Sequence, residues 1–598
     1  MYNNYHNYQN KNKSVRNSEN AKYSYGDKFV NPYNFIRLEN KVDRTLREKG
    51  SLCGKLKCGI ITKTQIFIPN TSNDRSLSII EKDHKSFDYY SYTDNSKKSA
   101  SDITNSNPEP VIPASEIRGV IRSVYETVTN SCMSNFEYNK TITAREKTFY
   151  TDCAILTSEN DKWILYKAEK KGQIDLERND LSKPKLYRDN DVAYVNAPGG
   201  AIDYKHPLDK QSKYIMTKTP VNLSKIINTL DDAVEKLKQV LKDYQNEKIN
   251  RNIKAKTHFG YKNYKIQKGE YIPVWYKIRN NILYLSLASQ GRIAYYHTLG
   301  DFADSYKPCS DKNALCRGCE MFGFVNTDTA ESKSGKLNFY DAYVTEKKDV
   351  YTRGTKTLKE LSSPKVSCLE MYTNKLSRVI DYWTYDYGMP KESVSDISKS
   401  IELNGRKFYW HNKKYADTAY TEEKNNRNMS IRPLNENVEF NYEITFQNLR
   451  EDELEDLIFS INFGDNQNNN CHKIGAAKPL GLGSVKMTVN GVELRTISES
   501  GGKFIYNTED KTAEYLKKAK THELNPNLLK ITNFDSMDGK NISYPIGEDQ
   551  TKADPAKRNA GYNFFMWNRG ESVLKPKFDK VLPDITSPDM KTRIKPKC

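Results

Sequence analysis

Three cysteines set out the first chemistry this chain could do. Cys309, Cys316 and Cys319 form a C-x6-C-x2-C pattern, and a C-x2-C pair lets two thiolates grip one tetrahedral zinc ion. His297, twelve residues before Cys309, is the nearest candidate for a fourth ligand, with Cys471 or His472 as replacements. Four protein ligands would close the coordination sphere, so the expected ion is structural rather than catalytic. The remaining cysteines are scattered along the chain, which argues for a reducing, cytoplasmic setting and against a disulfide frame.

A second chemistry rests on glycine and charge. In HKIGAAKPLGLGSVKMTV, from His472 to Val489, Gly475, Gly481 and Gly483 sit among Lys473 and Lys478. A loop so poor in side chains can bring backbone N–H groups against a phosphate, and the lysines add point charges. The G-x-x-x-x-G-K-[ST] pattern is absent and the loop leads into a strand, so nucleoside triphosphate chemistry is not indicated. An RNA or DNA backbone fits better; a glycine hairpin that merely turns the chain is the plain alternative. Arg118 and Arg122 lie four apart on an expected helix and so emerge together, with Gly119 between them leaving room for another backbone. They read as a pair of phosphate clamps or as a solvated basic face.

The elements that must position these residues are legible from periodicity. Leu56 to Ile68 alternates as a strand, with Cys58, Ile60, Thr62, Thr64, Ile66 and Ile68 on one face. A helix is expected to be capped by Ser115 and to bury Ile117, Val120, Ile121, Val124 and Val128. Val438, Phe440, Tyr442, Ile444 and Phe446 alternate with polar residues as a half-buried antiparallel strand. An acidic-ended helix burying Leu454, Leu457, Ile458 and Ile461 then delivers the glycine loop, and Val485, Met487 and Val489 mark a closing strand. A longer helix, about Ser224 to Glu247, carries a stripe of Ile227, Leu230, Val234, Leu237, Leu241 and Tyr244. The polar stretch from 70 to 110 is too long for a plain connection, so it is functional or mobile.

With 598 residues the core is not limiting, and 94 basic against 76 acidic side chains give a formal charge of +18 that favours a polyanionic partner. The sequence has no apolar run long enough for a membrane helix and no apolar stretch at its start, so no membrane is expected. Residues 1–27 are a basic tail with too few aliphatic residues to order. A C-terminal aromatic knot, Tyr562, Phe564, Phe565 and Trp567, reads as core packing before an interface or a stacking platform.

Stripped of insertions, the order is strand, helix, strand, strand, helix, glycine loop, strand, which predicts an α+β fold: a ferredoxin-like (RRM-like) antiparallel sheet core with large insertions and a C-terminal extension. Here GKLKCGIITKTQIFIPN, VIPASEIRGVIR, CRGCEMFGF followed by GKLNFYDA, and KIGAAKPLGLGSV resemble, in this order, the RAMP superfamily of CRISPR-associated proteins. Within it the chain looks most like the backbone subunit of type III effector complexes. That resemblance divides the chain into the tail, a first part of the RAMP core (28–149), an insertion (150–290), a zinc-binding segment with core strands (291–345), a second insertion (346–430), the last core part (431–495) and the extension (496–598).

The resemblance implies a protein that grips the backbone of a CRISPR RNA, holds its bases open for a target RNA and neighbours other RAMP-type subunits. Arg118, Arg122, Lys473, Gly475, Lys478, Gly481 and Gly483 would make the backbone contacts. Some relatives also cut the paired target with a divalent metal, Mg or Mn, and an aspartate in the loop after the first strand. Asp74 occupies that place here, with Asp83 and Asp88 further along, and a plain turn aspartate is the alternative. Two other functions compete. One is metal-independent processing of precursor CRISPR RNA by a histidine, with His84, His297 or His472 nearest the motifs. The other is a zinc-stabilised interaction scaffold without nucleic acid.

Overall fold

The alternating segments assemble into one antiparallel sheet whose members are far apart in sequence. In the computed structural model, Leu52–Thr62 pairs on one side with Ser484–Ser500 and on the other with Glu439–Leu449. Glu439–Leu449 in turn pairs with two short segments, Leu337–Phe339 and Ala342–Val344, and Val111–Ile112 and His472–Lys473 form the edges. Cys58 is opposite Tyr442 on one side and Val489 on the other. The structure describes residues 28–39, 41–77, 84–145, 152–175, 185–189, 192–198, 210–246, 265–287, 292–326, 329–361, 369–375, 384–386, 401–521, 525–540, 542–544, 582–587 and 591–593. The expected tail (1–27) and the aromatic knot around Trp567 lie outside them, as does Asp83.

Helices Ala114–Val128 and Glu451–Asn462 cover one face of this sheet. Ile117, Ile121, Tyr125, Leu454, Leu457, Ile458 and Ile461 share a core with Leu56, Cys58, Ile60, Phe440, Tyr442, Ile444 and Met487. Burial of each such aliphatic side chain stabilises the fold by about 1.5–3 kcal/mol. The other face is polar, and Lys55 pairs there with Glu443 at 3.1 Å.

Several boundaries differ from expectation for identifiable reasons. Ser115 does not cap the first helix: it lies inside it, and the N–H of Ala114 donates to Asp341 Oδ1 at 2.6 Å, so the cap comes from a strand-end carboxylate remote in sequence. The first strand ends at Thr62 rather than Ile68, because the N–H groups of Lys63 and Thr64 both turn to the carbonyl of Ser484. The polar stretch after it is ordered in part. Lys85–Phe87 runs parallel to Met429–Ile431, and Ala100–Ser106 is a helix held by reciprocal Ser99 and Asp102 bonds. Asp88 is fully buried and accepts from Arg432 Nε and Nη2 at 2.7 and 2.8 Å.

The segment expected as an insertion forms its own seven-stranded antiparallel sheet within 152–286. Its helix starts at Leu230, not Ser224, because Thr229 and Asp232 bond reciprocally and fix the N-terminus there. Ile227 is therefore outside the helix and exposed, while Val234, Leu237 and Leu241 pack with Leu156, Leu165, Val274 and Leu283 in a second core.

Candidate functional site

The cysteine cluster is completed by a residue that spacing did not suggest. Cys132 follows the first helix and meets Cys309, Cys316 and Cys319, the four sulfurs lying within 4.8 Å of one another. Cys132 Sγ is 3.5 Å from both Cys316 Sγ and Cys319 Sγ and 3.9 Å from Cys309 Sγ. Sulfurs about 2.3 Å from a tetrahedral zinc stand roughly 3.8 Å apart, so these residues fit such an ion. All four are buried, and the N–H groups of Cys132, Cys316 and Cys319 point at neighbouring sulfurs at 3.3–3.5 Å. His297 is not the fourth ligand: its Nδ1 faces Asp386 Oδ1 at 3.2 Å. Neither replacement joins the cluster. His472 is buried with Nε2 2.8 Å from the Ile461 carbonyl, and Cys471 is buried elsewhere.

The surrounding charge suits a closed tetrathiolate. Zinc with four thiolates carries a net charge of minus two. Arg44, Arg122 and Arg406 all lie within electrostatic reach of these cysteines, and Glu126 pairs with Arg122 at 2.7 Å and with Arg406 at 3.5 Å. Three guanidiniums less one carboxylate balance the centre. Arg122 Nη2 also reaches Cys319 Sγ at 3.8 Å. The expectation that Arg122 clamps phosphate thus meets a competitor, since this side chain is already engaged by the cysteine site and Glu126.

The same site is anchored to the second helix. Cys316 caps the short helix Arg317–Phe322, accepting from the Cys319 N–H. From that helix Arg317 pairs with Asp452 and Asp456 at 2.6 and 2.5 Å, and Glu320 meets Lys336 at 3.0 Å, whose ammonium also binds Glu453 at 2.8 Å. The cluster therefore ties the end of one core helix to the start of the other.

Arg118 stands differently. Its guanidinium donates to the Phe322 carbonyl and lies 5.8 Å from the Phe322 ring centre, and among the described residues it has no carboxylate partner. Among the described residues outside its own helix, nothing lies within 4 Å of where a Cβ on Gly119 would sit.

The glycine loop is pinned against the chain that leaves the first strand. Gly483 N–H donates to Gln65 O at 2.9 Å, and Ala476 N–H to Phe67 O at 2.8 Å. Gly475 and Gly483 have φ of +76° and +77°, and a Cβ would fall 2.4 Å from Phe67 O and 2.0 Å from Ile474 O, so only glycine serves at either place. Lys473 is committed inward. Its Nζ donates to the carbonyls of Gly481 and Leu482 at 2.8 and 3.0 Å, and burial pushes its pKa down to about 7. Lys473 is thus a brace of the loop. Lys478 is half-buried, burial lowers its pKa, and the opposing pull comes from Glu116 in the first turn of the helix that bears Arg118. Among the described residues the N–H groups of Gly475 and Lys478 meet no backbone acceptor.

Asp74 is exposed and 3.5 Å from Lys85, whereas Asp88 is consumed by Arg432. His84 is buried between the Asn425 carbonyl and Ser430 Oγ, both at 2.9 Å. Together with His297, His472 and His411, which bonds Ser484 Oγ and the Cys471 carbonyl, every described histidine has an internal partner.

Two comparisons bear on this arrangement. The sequence profile of the RAMP superfamily matches residues 59–277, from within the first core strand through the first helix and most of the inserted sheet. The match supports a CRISPR-associated protein of that superfamily, whose members are generally associated with CRISPR RNA-binding effector complexes. No curated protein matches the chain. Among the described residues no helix is long and apolar enough to cross a membrane.

Proposed function

We propose that the chain is a CRISPR RNA-binding subunit of a type III RNA-guided effector complex, built on a ferredoxin-like (RRM-like) core. Support for that core is the strand order. Ser484–Ser500, Leu52–Thr62, Glu439–Leu449 and the short pair Leu337–Phe339 and Ala342–Val344 lie side by side in that order, all antiparallel, with both core helices on one face. The observation that carries the function is where the superfamily match falls. It covers the end of the first core strand and the whole helix that bears Arg118, and the pinned glycine loop, outside the matched residues, holds Lys478 within reach of that helix's first turn.

In this reading Arg118, Lys478 and the N–H groups of Gly475 and Lys478 take the ribose-phosphate chain, Gly481 and Gly483 shape the loop, and Lys473 and Arg122 hold the track from behind. Zinc in the four-cysteine site fixes the helix that carries Arg118. Asp74, on the exposed loop after the first strand, is the candidate for cleaving a paired target RNA with Mg or Mn. The partners are the guide, its target and neighbouring RAMP-type subunits in the cytoplasm. The internal engagement of the described histidines weighs against metal-independent processing.

Sequencing the RNA that co-purifies with the protein from cells holding a CRISPR array tests the proposal. Discrete RNAs bearing repeat sequence are expected, and their absence at low salt contradicts it. Complexes carrying Asp74→Ala should bind target RNA normally and lose cutting; equal cutting removes Asp74 from the site.

A further inference from the structure

The closing core strand, Ser484–Ser500, runs well past the sheet and turns back as Lys503–Asp510. From Arg495 to Ser500 and from Lys503 to Asp510 every residue is exposed, so the two strands stand off the body as a bare arm. The glycine loop is at the opposite end of the same long strand, next to Ser484, so whatever the arm meets does not compete with the phosphate track.

A lone two-stranded ribbon gains little stability in water, and this one displays large apolar groups. Ile497, Phe504 and Tyr506 are 62, 73 and 74% exposed and share one face, Ile497 lying opposite Tyr506. The outer edge of Lys503–Asp510 pairs with nothing among the described residues and carries no proline or bulge to blunt it. Charge argues against RNA as the occupant. Between Arg495 and Asp510 the arm has two basic residues, Arg495 and Lys503, against Glu499, Glu509 and Asp510, in a chain that is otherwise strongly basic.

We propose that the occupant is the same edge of a second copy of this chain. Gly501 and Gly502 both have positive φ, 61° and 76°, which makes a two-residue type I′ turn closed by the hydrogen-bonded pair Ser500 and Lys503. Alternation from that pair leaves the N–H and C=O groups of Phe504, Tyr506 and Thr508 pointing outward. A two-fold axis at Tyr506 then sets Tyr506 against Tyr506 of the second copy and Phe504 against its Thr508. It also sets Lys503 against its Glu509 and Glu509 against its Lys503, two ion pairs from one symmetric contact. The four strands carry a continuous apolar row of Ile497, Tyr506, Tyr506 and Ile497. Moving the axis to Asn507 would oppose Lys503 to Lys511, so charge selects the register.

Sedimentation equilibrium of the full chain after ribonuclease treatment tests this. The wild type should rise with concentration from 69.0 kDa to twice that mass. Lys503→Glu should weaken association at least about ten-fold, because a carboxylate at that position then faces Glu509 of the second copy, while Lys503→Glu with Glu509→Lys restores it. Tyr506→Pro removes an outward donor without touching the pairing to Ser484–Ser500 and should also leave single chains. A wild type that stays at single-chain mass, a dimer indifferent to Lys503→Glu, a double swap that fails to restore it, or an oligomer that ribonuclease dissolves would overturn the assignment.

Discussion

Replacing Cys132 by Ser separates the four-cysteine centre from a three-cysteine knuckle. Cys132 and Cys309 are 177 residues apart, so an ion shared between them acts as a cross-link over a very long loop. By chain entropy, closing a loop of that length removes about 5 kcal/mol of freedom from the unfolded state. The ordered inserted sheet shortens the effective loop, so this is an upper figure. In a cooperative unit of 150–250 residues, about 5 kcal/mol corresponds to a fall of roughly 10–20 °C in the unfolding midpoint. The assay is zinc content by plasma mass spectrometry together with a thermal melt, with and without a strong chelator. Wild type should hold one zinc and melt earlier in chelator. Cys132→Ser should lose most of the metal and melt at the lower temperature whether chelator is present or not, while His297→Ala keeps its zinc. The reasoning fails if Cys132→Ser retains a full zinc and an unchanged melt.

Two further substitutions probe how the rest of the site is held. Asp88→Asn leaves the Arg432 guanidinium, 3% exposed, without its carboxylate, and should cost about 3–5 kcal/mol in denaturant unfolding; a cost under about 1 kcal/mol would mean the pair is solvated. Gly483→Ala forces a Cβ to 2.0 Å from the Ile474 carbonyl at a φ of +77°, so it should loosen the loop from Gln65 and speed amide exchange at residue 483. Unchanged exchange would show that the loop is not pinned as described.

The core strands and both core helices were legible because their burial pattern is local: alternate residues from Val438 to Phe446 and the i, i+3, i+4 stripe of Ile117, Val120 and Ile121 face one core, while Val124, the next residue of that stripe, packs in a neighbouring cluster with Val30 and Trp410. What sequence missed is what depends on remote partners. Cys132 lacks a nearby cysteine to flag it, and its only signal is a position directly after an amphipathic helix. Asp341, within the GKLNFYDA motif, caps a helix more than two hundred residues away in sequence. Arg122 and Arg118 looked equivalent at a spacing of four, yet one faces Glu126 and the cysteines and the other does not. Lys473 and Lys478 likewise differ through backbone carbonyls that a sequence pattern does not reveal.

The most direct measurement of the phosphate track is the salt dependence of CRISPR RNA binding by wild type and by the Arg118→Ala, Lys478→Ala double variant. Each lost phosphate contact to single-stranded RNA should reduce the slope of log affinity against log salt by about 0.7. The double variant is predicted to give a slope shallower by roughly 1.4, and by the same amount for guides of unrelated sequence, since backbone contacts carry no base information. An unchanged slope, or a loss that depends on the guide's bases, would contradict a track made by these two side chains.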